Sequence, residues 1–293
     1  MNKLPQEFIQ NMEGFFNDPG ELSDFLTSLS LPRQYGYRIN TLKTLHSPLS
    51  TLHSKIPWCN TGYYYENQKN APMGKNPLYQ AGLYYIQEPS AMSAAAMLDV
   101  QPGEKVLDLC ASPGGKSTQI AAALGGEGLL VSNDANMGRI PQLLRNIEMA
   151  GIVNSIVLCE TPERIAARLQ GFFDKVLVDA PCSGEGMFRK DPSAIAAWDV
   201  AKPARLAVIQ KNILHFAAKT VRAGGFLVYS TCTFNRTENE DIIDDFLLNN
   251  GHFKLIKQER IWPHKHRGEG HFVTLLHNVG ADAIRPHSVQ QLT

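Results

Sequence analysis

The chain of 293 residues contains few cysteines and no long hydrophobic run, and both absences exclude whole classes of protein. No segment approaches the roughly 18 apolar residues of a membrane-spanning helix, and the first residues lack the apolar run of a signal peptide. The five cysteines are an odd number without close metal-ligand spacing, so neither a disulfide framework nor a zinc site is expected. The sequence therefore predicts a reduced, cytoplasmic protein with no metal centre and no membrane partner.

Net charge is absent as well, because 28 Lys and Arg residues balance 28 Asp and Glu residues. This balance neither requires nor excludes a nucleic-acid partner. Basic residues are in excess in two segments, 185–222 and 254–271. By charge alone, we interpret both segments as ordinary solvated surface. The sequence contains no internal repeat, no low-complexity tract and no sign of an obligate protein partner.

What the sequence does contain, from residue 87 onward, is an alternation of strand and helix patterns. Short apolar runs bounded by turn residues predict buried strands at 105–109, 128–132, 155–158, 174–178, 226–230, 253–256 and 271–277. Helices are predicted at 116–124, 140–149 and 203–221, after Thr161 as N-cap, and after a capping box at 237–240. Alternating β and α units predict an α/β fold with a doubly wound parallel sheet.

Residues 1–76 do not share the regular alternation of strand and helix patterns found in the rest of the chain. Two helical patterns, 4–16 and 22–29, precede an aromatic and β-branched strand at 35–40. A connector rich in Pro, Asn and Gly follows at 67–77. We therefore expect a small N-terminal α/β module over residues 1–76 and a larger domain over residues 77–293, and the hydrophobic content of 43% is enough to bury both cores.

A glycine turn follows the first strand of the larger domain. Its residues are Cys110, Ala111, Ser112, Pro113, Gly114, Gly115 and Lys116. It is not a phosphate loop, because Cys110 stands where that motif needs glycine. The second strand ends at Asp134, at the position where a carboxylate holds ribose hydroxyls, although Asp134 alone could equally cap a helix. Together, the turn and the acid favour S-adenosylmethionine as the cofactor.

Two cysteines closely follow predicted strands. Cys182 lies in Asp179-Ala180-Pro181-Cys182, and Cys232 lies in Ser230-Thr231-Cys232-Thr233. Ligands and chemistry gather at the carboxyl ends of parallel strands, so the two thiols predict a paired-thiol reaction centre. The alternative for either residue is a small buried hydrophobic side chain. Cys59 and Cys159 carry no motif and are expected to be structural.

Several motifs, in this order, resemble the Nol/Nop/Sun family of RNA (cytosine-C5) methyltransferases, and specifically its small-subunit ribosomal RsmF/YebU type. The resemblance rests on residues 38–43, 85–90, 110–116, both cysteine segments, 187–192 and 263–272. It implies a Rossmann-like, S-adenosylmethionine-dependent methyltransferase sheet, with the cofactor at residues 110–116, Asp134 and Asp179. The chain departs from the pattern at 159–163, where the family often has an adenine-binding Asp. Glu160 is the candidate there, and the residue that contacts adenine is left open. The chain also stops at Thr293, whereas relatives usually continue into a further RNA-binding region.

The resemblance also implies the roles of the site residues. Cys232 is the nucleophile that adds to cytosine C6, Cys182 assists release of the product, and Asp179 binds the cytosine amine edge or the cofactor. The implied partner is RNA, most directly 16S ribosomal RNA. The alternatives are a transfer-RNA cytosine-C5 methyltransferase and a non-catalytic RNA-binding protein of ribosome assembly. The N-terminal module is expected to bind RNA, and the candidate phosphate contacts are Arg38, Arg189, Lys190, Lys265 and Arg267.

Overall fold

A computed structural model describes residues 4–44, 53–66 and 72–280, which form two sheets and the helices around them. Part of the predicted connector at 67–77 and the end of the larger domain lie outside the described residues. The strands are β1 (Gly36–Ile39), β2 (Lys55–Ile56), β3 (Cys59–Tyr64), β4 (Tyr84–Ile86), β5 (Lys105–Asp108), β6 (Leu129–Asn133), β7 (Ser155–Leu158), β8 (Phe173–Asp179), β9 (Val221–Thr231), β10 (Phe253–Ile261) and β11 (His271–Asn278). The helices are α1 (Gln6–Glu13), α2 (Pro19–Ser28), α3 (Pro77–Gln80), α4 (Ser93–Met97), α5 (Gly115–Leu124), α6 (Ile140–Ala150), α7 (Pro162–Arg168), α8 (Pro192–Ala196), α9 (Lys202–Thr220) and α10 (Glu240–Asn249).

The large sheet has the strand order β10-β11-β9-β8-β5-β6-β7, which confirms the predicted Rossmann-like α/β class. Five neighbouring strands in this order run parallel to one another, namely β9, β8, β5, β6 and β7. The prediction of an entirely parallel sheet is wrong, however, because β11 runs antiparallel to both β9 and β10. A parallel neighbour needs a crossover connection, usually a helix, and the loop between β10 and β11 contains none.

Two helix starts agree with the predicted ranges. The Thr161 side chain accepts from the backbone N–H of Arg164 and caps α7, and α6 begins at Ile140 with Pro141 in its first turn. The capping box at 237–240 is wrong, because α10 begins at Glu240 and its N-cap residue makes no side-chain cap hydrogen bond. The carboxylate of Glu240, the acid of the box, instead accepts from the guanidinium of Arg260, a tertiary contact that the local pattern does not reveal.

The small sheet has the order β2-β3-β1-β4 and is antiparallel. Aromatic rings pack on one face of it, with Tyr37 stacked on Tyr63 and in edge contact with Tyr84. Because β4 covers Tyr84–Ile86, this sheet extends past residue 76, where we expected the N-terminal module to end.

Helices α1 and α2 pack on the larger domain through an aromatic cluster. Phe8 contacts Phe188 and Trp198, and Phe25 contacts Phe234, all in edge-on geometry. Each fully buried aromatic side chain contributes about 1.5–3 kcal/mol. Phe188 lies six residues after Cys182, and Phe234 lies two residues after Cys232. The N-terminal helices therefore pack against the two segments that follow the motif cysteines, which we call the first and the second cysteine loop.

Strands β8 and β9 form the centre of the large sheet. Both are apolar because helices cover the two faces of the sheet, and Val176, Leu177 and Val228 are completely buried. Their parallel register pairs Asp179 with Ser230 at the carboxyl ends. The chain segments that follow these two strands therefore leave the same edge of the sheet side by side.

None of the helices within residues 4–44, 53–66 and 72–280 is long and apolar enough to cross a membrane.

Candidate active site

A cavity of about 770 Å³ opens at the edge of the large sheet where the parallel strands end. Segments that follow β5, β6, β7, β8 and β9 line it, together with helix α9. Its lining includes Cys110, Ser112, Asp134, Asp179, Cys182 and Cys232. Ligand sites in proteins typically have volumes of about 300–1,000 Å³. The cavity therefore has room for a cofactor and for part of a second ligand.

The turn after β5 brings its backbone close to helix α6. Gly114 has a φ of 107°, a conformation that glycine adopts without steric cost. A Cβ atom at this position would lie 3.1 Å from the side chain of Leu143 on α6. The side-chain amide of Asn146, also on α6, donates to the carbonyl oxygen of Pro113 at 2.6 Å. The predicted loop residues thus form one tight turn, in which Gly114 faces α6 rather than the cavity.

Asp134 follows β6 and is buried, with 4% of its surface exposed. Its Oδ2 accepts from the backbone N–H of Ser112 at 3.3 Å and lies 3.1 Å from the guanidinium of Arg139. Its Oδ1 accepts from the backbone N–H of Asn136 at 3.0 Å. The helix-capping alternative does not hold, because Asn136 is the residue that caps the next helical turn. Asp134 instead binds the backbone of the glycine turn and lines the cavity.

Lys116 and Asp179 form an ion pair between the glycine turn and the end of β8. The Lys116 Nζ lies 2.6 Å from Asp179 Oδ2, and the lysine side chain is 10% exposed. Ser230 donates to the other carboxylate oxygen at 2.8 Å. Burial opposes the negative charge of Asp179, but Lys116 and the neighbouring His271 outweigh it and hold the pKa of Asp179 well below its usual range. His271 acts here as a polar neighbour, because its Nε2 is 3.7 Å from Oδ1, too far for a hydrogen bond.

The two motif thiols lie next to each other in the cavity wall. The Sγ atoms of Cys182 and Cys232 are 3.4 Å apart, within hydrogen-bonding distance for sulfur. This contact with Cys232, together with burial, raises the pKa of Cys182 well above its usual value. Cys182 therefore keeps its proton. The pair places one protonated thiol directly beside the second motif thiol.

A second cavity, of about 220 Å³, lies beside the glycine turn, and Asp108, Asp179 and Lys190 line part of it. Asp108 ends β5, and its Oδ2 accepts from Ser117 at 2.7 Å. Its buried Oδ1 has no hydrogen-bond partner in the described part of the chain. Burial raises the pKa of Asp108 to about 7. Asp108 is not among the predicted site residues, although an acid at the end of an otherwise apolar strand is a usable signal.

Two of the five predicted phosphate contacts are wrong because their side chains are buried. Arg38 is 2% exposed, and its Nη2 donates to the carbonyl oxygen of Gly115 at 2.6 Å and to the hydroxyl of Thr118 at 2.8 Å. The Arg189 side chain is 3% exposed and forms a 2.6 Å ion pair with Glu269. Both arginines stabilise the fold rather than offer their charge to RNA.

The other three predicted contacts have side chains that solvent can reach. Lys190 is half-buried and lines the second cavity. Lys265 is exposed and pairs with Glu21 of α2 at 2.5 Å. Arg267 is exposed, and its guanidinium lies 4.2 Å from the ring centre of Tyr64. A role for these three residues in binding RNA stays a prediction.

The buried position of Arg38 predicts a large effect on stability. Arg38→Met leaves acceptors of Gln87, Gly115 and Thr118 without their donor, and is expected to lower the free energy of unfolding by about 2–4 kcal/mol. Chemical denaturation measures the change. The matched control is Arg267→Met, which removes an exposed guanidinium and should change stability little. Equal stability of the two variants would contradict the structural role of Arg38.

The parallel sheet, the glycine turn and the acid after the second strand define the class of the protein as a Rossmann-like methyltransferase. Comparison with known families is more specific. Residues 95–277 match the model for 16S rRNA methyltransferase RsmB/F, and residues 4–89 match the N-terminal domain of 16S rRNA methyltransferase RsmF. The chain therefore belongs to the RsmB/F family of 16S rRNA methyltransferases, which use S-adenosylmethionine.

Individual relatives agree with this assignment. The chain is 38% identical over 251 residues to the ribosomal RNA small subunit methyltransferase F of Escherichia coli O157:H7, and 37% identical over 250 residues to that of Salmonella paratyphi A. Each alignment covers 82% of this chain and 52% of the relative, so the chain spans about half the length of the curated relatives it matches. The structure of NSun6 from Pyrococcus horikoshii with SFG, an analogue of S-adenosylmethionine, has the same fold, with a TM-score of 0.83 at 21% identity over 94% of this chain and 98% of that one.

Proposed function

We propose that the protein transfers a methyl group from S-adenosylmethionine to C5 of a cytosine in 16S ribosomal RNA, through a covalent adduct of Cys232. The observation that carries the proposal is the contact between two thiols, 3.4 Å apart, in a cavity that Asp134 and the glycine turn also line. Two neighbouring thiols suit a reaction that first forms and then breaks a bond to a base. Membership of the RsmB/F family supports 16S ribosomal RNA as the substrate.

The donor set around the two cavities fits S-adenosylmethionine. The carboxylate of Asp134 is an acceptor for the ribose hydroxyls, and the close backbone of residues 110–116 lets the cofactor approach the turn. The unpartnered Oδ1 of Asp108 is an acceptor for an ammonium group in the second cavity. When bound, the cofactor supplies an electrophilic methyl group. Glu160 remains only a candidate for the adenine, because its carboxylate pairs with Arg164 at 3.0 Å.

The residues of the cavity divide the chemistry between them. Cytosine C5 is a weak nucleophile, and addition of the Cys232 sulfur to C6 makes it electron-rich. Asp179, held ionised at the cavity wall, is an acceptor for the cytosine amine.

Cys182 is suited to the later steps, in which C5 loses a proton and the bond between C6 and sulfur breaks. Its thiol keeps its proton chiefly because of its contact with Cys232. Once the sulfur of Cys232 is bonded to the base, its contact no longer raises the pKa of Cys182 as strongly. Cys182 is then the neighbouring thiol of the adduct. We therefore infer that Cys182 acts after methyl transfer, on release of the product.

A labelling experiment tests the proposed function and its alternatives. The protein is incubated with methyl-tritiated S-adenosylmethionine and with unmethylated 16S ribosomal RNA, assembled small subunits or transfer RNA, with Cys232→Ala as the control. Label in ribosomal RNA, located at a cytosine by bisulfite sequencing, is the expected result. Label in transfer RNA alone would overturn the ribosomal substrate. Intact cofactor and RNA binding without label in any RNA would favour a non-catalytic assembly protein.

The basic residues Lys190, Lys265 and Arg267, whose side chains solvent can reach, should contribute to RNA affinity. We propose that the N-terminal module shares in this surface through the contact of Lys265 with Glu21 of α2. The target base must leave its stack to reach the thiols, so RNA has to lie across this edge of the sheet. Lys190→Ala and Lys265→Ala are expected to weaken RNA binding and to reduce the slope of log K against log salt by about one each. The control is Lys219→Ala, an exposed lysine at the far end of α9. An unchanged salt slope would contradict the phosphate contacts.

Asp134 should determine cofactor affinity. Asp134→Ala removes the acceptor for the ribose diol. We expect the binding free energy of S-adenosylmethionine to fall by about 1–3 kcal/mol, which corresponds to a roughly 5- to 150-fold larger Kd. Calorimetric titration with S-adenosylmethionine measures it. Because Asp134 also binds the backbone of Ser112, thermal unfolding without ligand separates a loss of affinity from a loss of fold. Unchanged affinity would remove Asp134 from the cofactor site.

A further inference from the structure

Two buried glutamates connect the loops that carry the two thiols. Glu185 follows Cys182 by three residues, is completely buried, and reaches the loop that follows Cys232. Its Oε2 accepts from the backbone N–H groups of Phe234 at 2.8 Å and Asn235 at 3.0 Å. The carboxylate from the first cysteine loop thus holds the backbone of the second.

Glu238 makes the reciprocal connection. It belongs to the second cysteine loop, is also completely buried, and its Oε1 accepts from the backbone N–H of Ser183 at 2.8 Å, directly beside Cys182. The same oxygen accepts from Gln210 of α9 at 2.8 Å, and the Gln210 amide also donates to the carbonyl oxygen of Pro181 at 2.9 Å. The residues on both sides of Cys182 are therefore fixed by one carboxylate and one amide.

The two carboxylates belong to a single hydrogen-bonded network. The side-chain amide of Asn235 donates to Glu238 Oε2 at 2.7 Å and to Glu185 Oε1 at 3.2 Å. The hydroxyls of Ser183 and Thr233, one from each loop, lie 2.6 Å apart. Every carboxylate oxygen of the pair accepts at least one hydrogen bond.

The loops also touch at their backbones, which leaves the network little freedom. Gly186 donates its backbone N–H to the carbonyl oxygen of Cys232 at 2.9 Å. A Cβ atom at Gly186 would lie 3.0 Å from that oxygen and 2.9 Å from the carbonyl oxygen of Gly270. Only a residue without a side chain allows this approach. The glutamates therefore fix two loops that are already in contact.

General stability does not explain the arrangement. Burying two carboxylates is costly, and apolar side chains of similar volume would stabilise a fold as well or better. Neither glutamate is among the residues that line the large cavity, so neither contacts a ligand there. What the network does specify is geometry, because each carboxylate accepts hydrogen bonds from the loop of the opposite thiol. Trp198 also donates to Glu185 at 3.2 Å, as Gln210 does to Glu238, so each carboxylate is anchored outside the two loops as well.

We propose that Glu185 and Glu238 are positioning residues that hold the sulfur of Cys182 against the sulfur of Cys232, so that Cys182 can act on the adduct formed by Cys232. The inference deepens the proposed function and rests on it for the catalytic consequence. The spacing of the thiols, by contrast, is a property of the free protein and is measured without RNA or cofactor.

Phenylarsine oxide reports the spacing directly. It condenses with two neighbouring thiols, forming two arsenic–sulfur bonds and releasing one water, and a single thiol binds it far more weakly. Wild type is expected to bind it, and Cys182→Ala to lose this binding. Glu185→Gln and Glu238→Gln are expected to weaken it at least tenfold, because an amide NH₂ replaces one acceptor oxygen. The matched control is Glu240→Gln, two residues from Glu238, whose carboxylate pairs with Arg260 and contacts neither cysteine loop. Equal binding by all three glutamine variants, or no binding by wild type, would overturn the proposal.

A second measurement links the spacing to the reaction. Glu185→Gln and Glu238→Gln should lower kcat at least tenfold with an unchanged KM for S-adenosylmethionine, and should accumulate the covalent RNA complex as Cys182→Ala does. If a glutamine variant does not fold, Thr233→Val removes one hydroxyl of the network and should cause the same changes three- to tenfold. A lower kcat without accumulated adduct would contradict the positioning role. If the two glutamine variants lose arsenical binding but wild type methylates no RNA, the proposed function is rejected and the spacing role of the glutamates stands.

Discussion

Cys232→Ala is expected to abolish both methyl transfer and the covalent protein–RNA complex, whereas Cys182→Ala is expected to accumulate that complex. The sulfur of Cys232 forms the bond to C6, so without it no adduct exists. With Cys182 removed, the adduct still forms, but the neighbouring thiol that assists its breakdown is missing. The expected loss of turnover is at least 10³-fold for Cys232→Ala, in keeping with the loss of a covalent nucleophile.

A denaturing gel separates the two outcomes. Each variant is incubated with substrate RNA and labelled S-adenosylmethionine, and a complex that survives denaturation is covalent. The control is Cys159→Ala, since Cys159 is half-buried and packs against a hydrophobic core cluster. If Cys232→Ala accumulates the complex instead, the two roles are exchanged. If neither variant loses activity, the covalent mechanism is wrong.

The sequence was enough to place the candidate active site at one edge of the sheet, because α/β folds are regular. Strand ends can be read from apolar runs, and parallel strands end at one edge, so the sequence alone assigns Asp134, Cys182 and Cys232 to that edge. That β8 and β9 are neighbours, and that the sulfurs lie 3.4 Å apart, required the structure. Strand order depends on packing between distant segments, which one sequence does not reveal.

Arg38 and Arg189 show why charged residues were harder to interpret. A basic residue in a motif looks the same whether it faces RNA or a buried acceptor. Arg38 binds Gly115, 77 residues away, and Arg189 binds Glu269, 80 residues away. The capping box was misread for the same reason, because its acid, Glu240, fits a local cap while its partner, Arg260, lies 20 residues later. Buried polar contacts between distant segments are thus the part of this site that local patterns could not supply.

Asp179→Asn is expected to destabilise the protein by about 3–5 kcal/mol near neutral pH and to abolish methyl transfer. It leaves the Lys116 ammonium buried without its counter-ion, which costs more than the ion pair itself contributes. The Ser230 hydroxyl keeps an acceptor in the amide oxygen, so the lost charge dominates. The variant Lys116→Met/Asp179→Asn should be more stable than Asp179→Asn alone, because no unpaired charge remains.

The destabilisation should depend on pH in a defined direction. The pKa of Asp179 is lowered in the folded protein, so its contribution is present above the unfolded value of about 3.9 and is lost as the pH falls through the folded pKa. Burial opposes the charge of Lys116, but Asp179 outweighs it and raises the pKa, so this contribution is lost as the pH rises above about 10.4.

The stability gap between wild type and Asp179→Asn should therefore be widest near neutral pH. It should narrow below about pH 3.9, where the wild type loses the contribution of Asp179. It should also narrow as the pH rises toward about 10.4, because without Asp179 burial lowers the pKa of Lys116 and the variant recovers as that ammonium loses its proton. Urea denaturation from pH 2 to pH 10 measures the gap. The control is Asp199→Asn, which breaks an exposed pair with Arg205 and should leave stability nearly unchanged at every pH. A gap that is small near neutral pH, or that does not vary over this range, would show that the buried pair does not have the strength assigned to it.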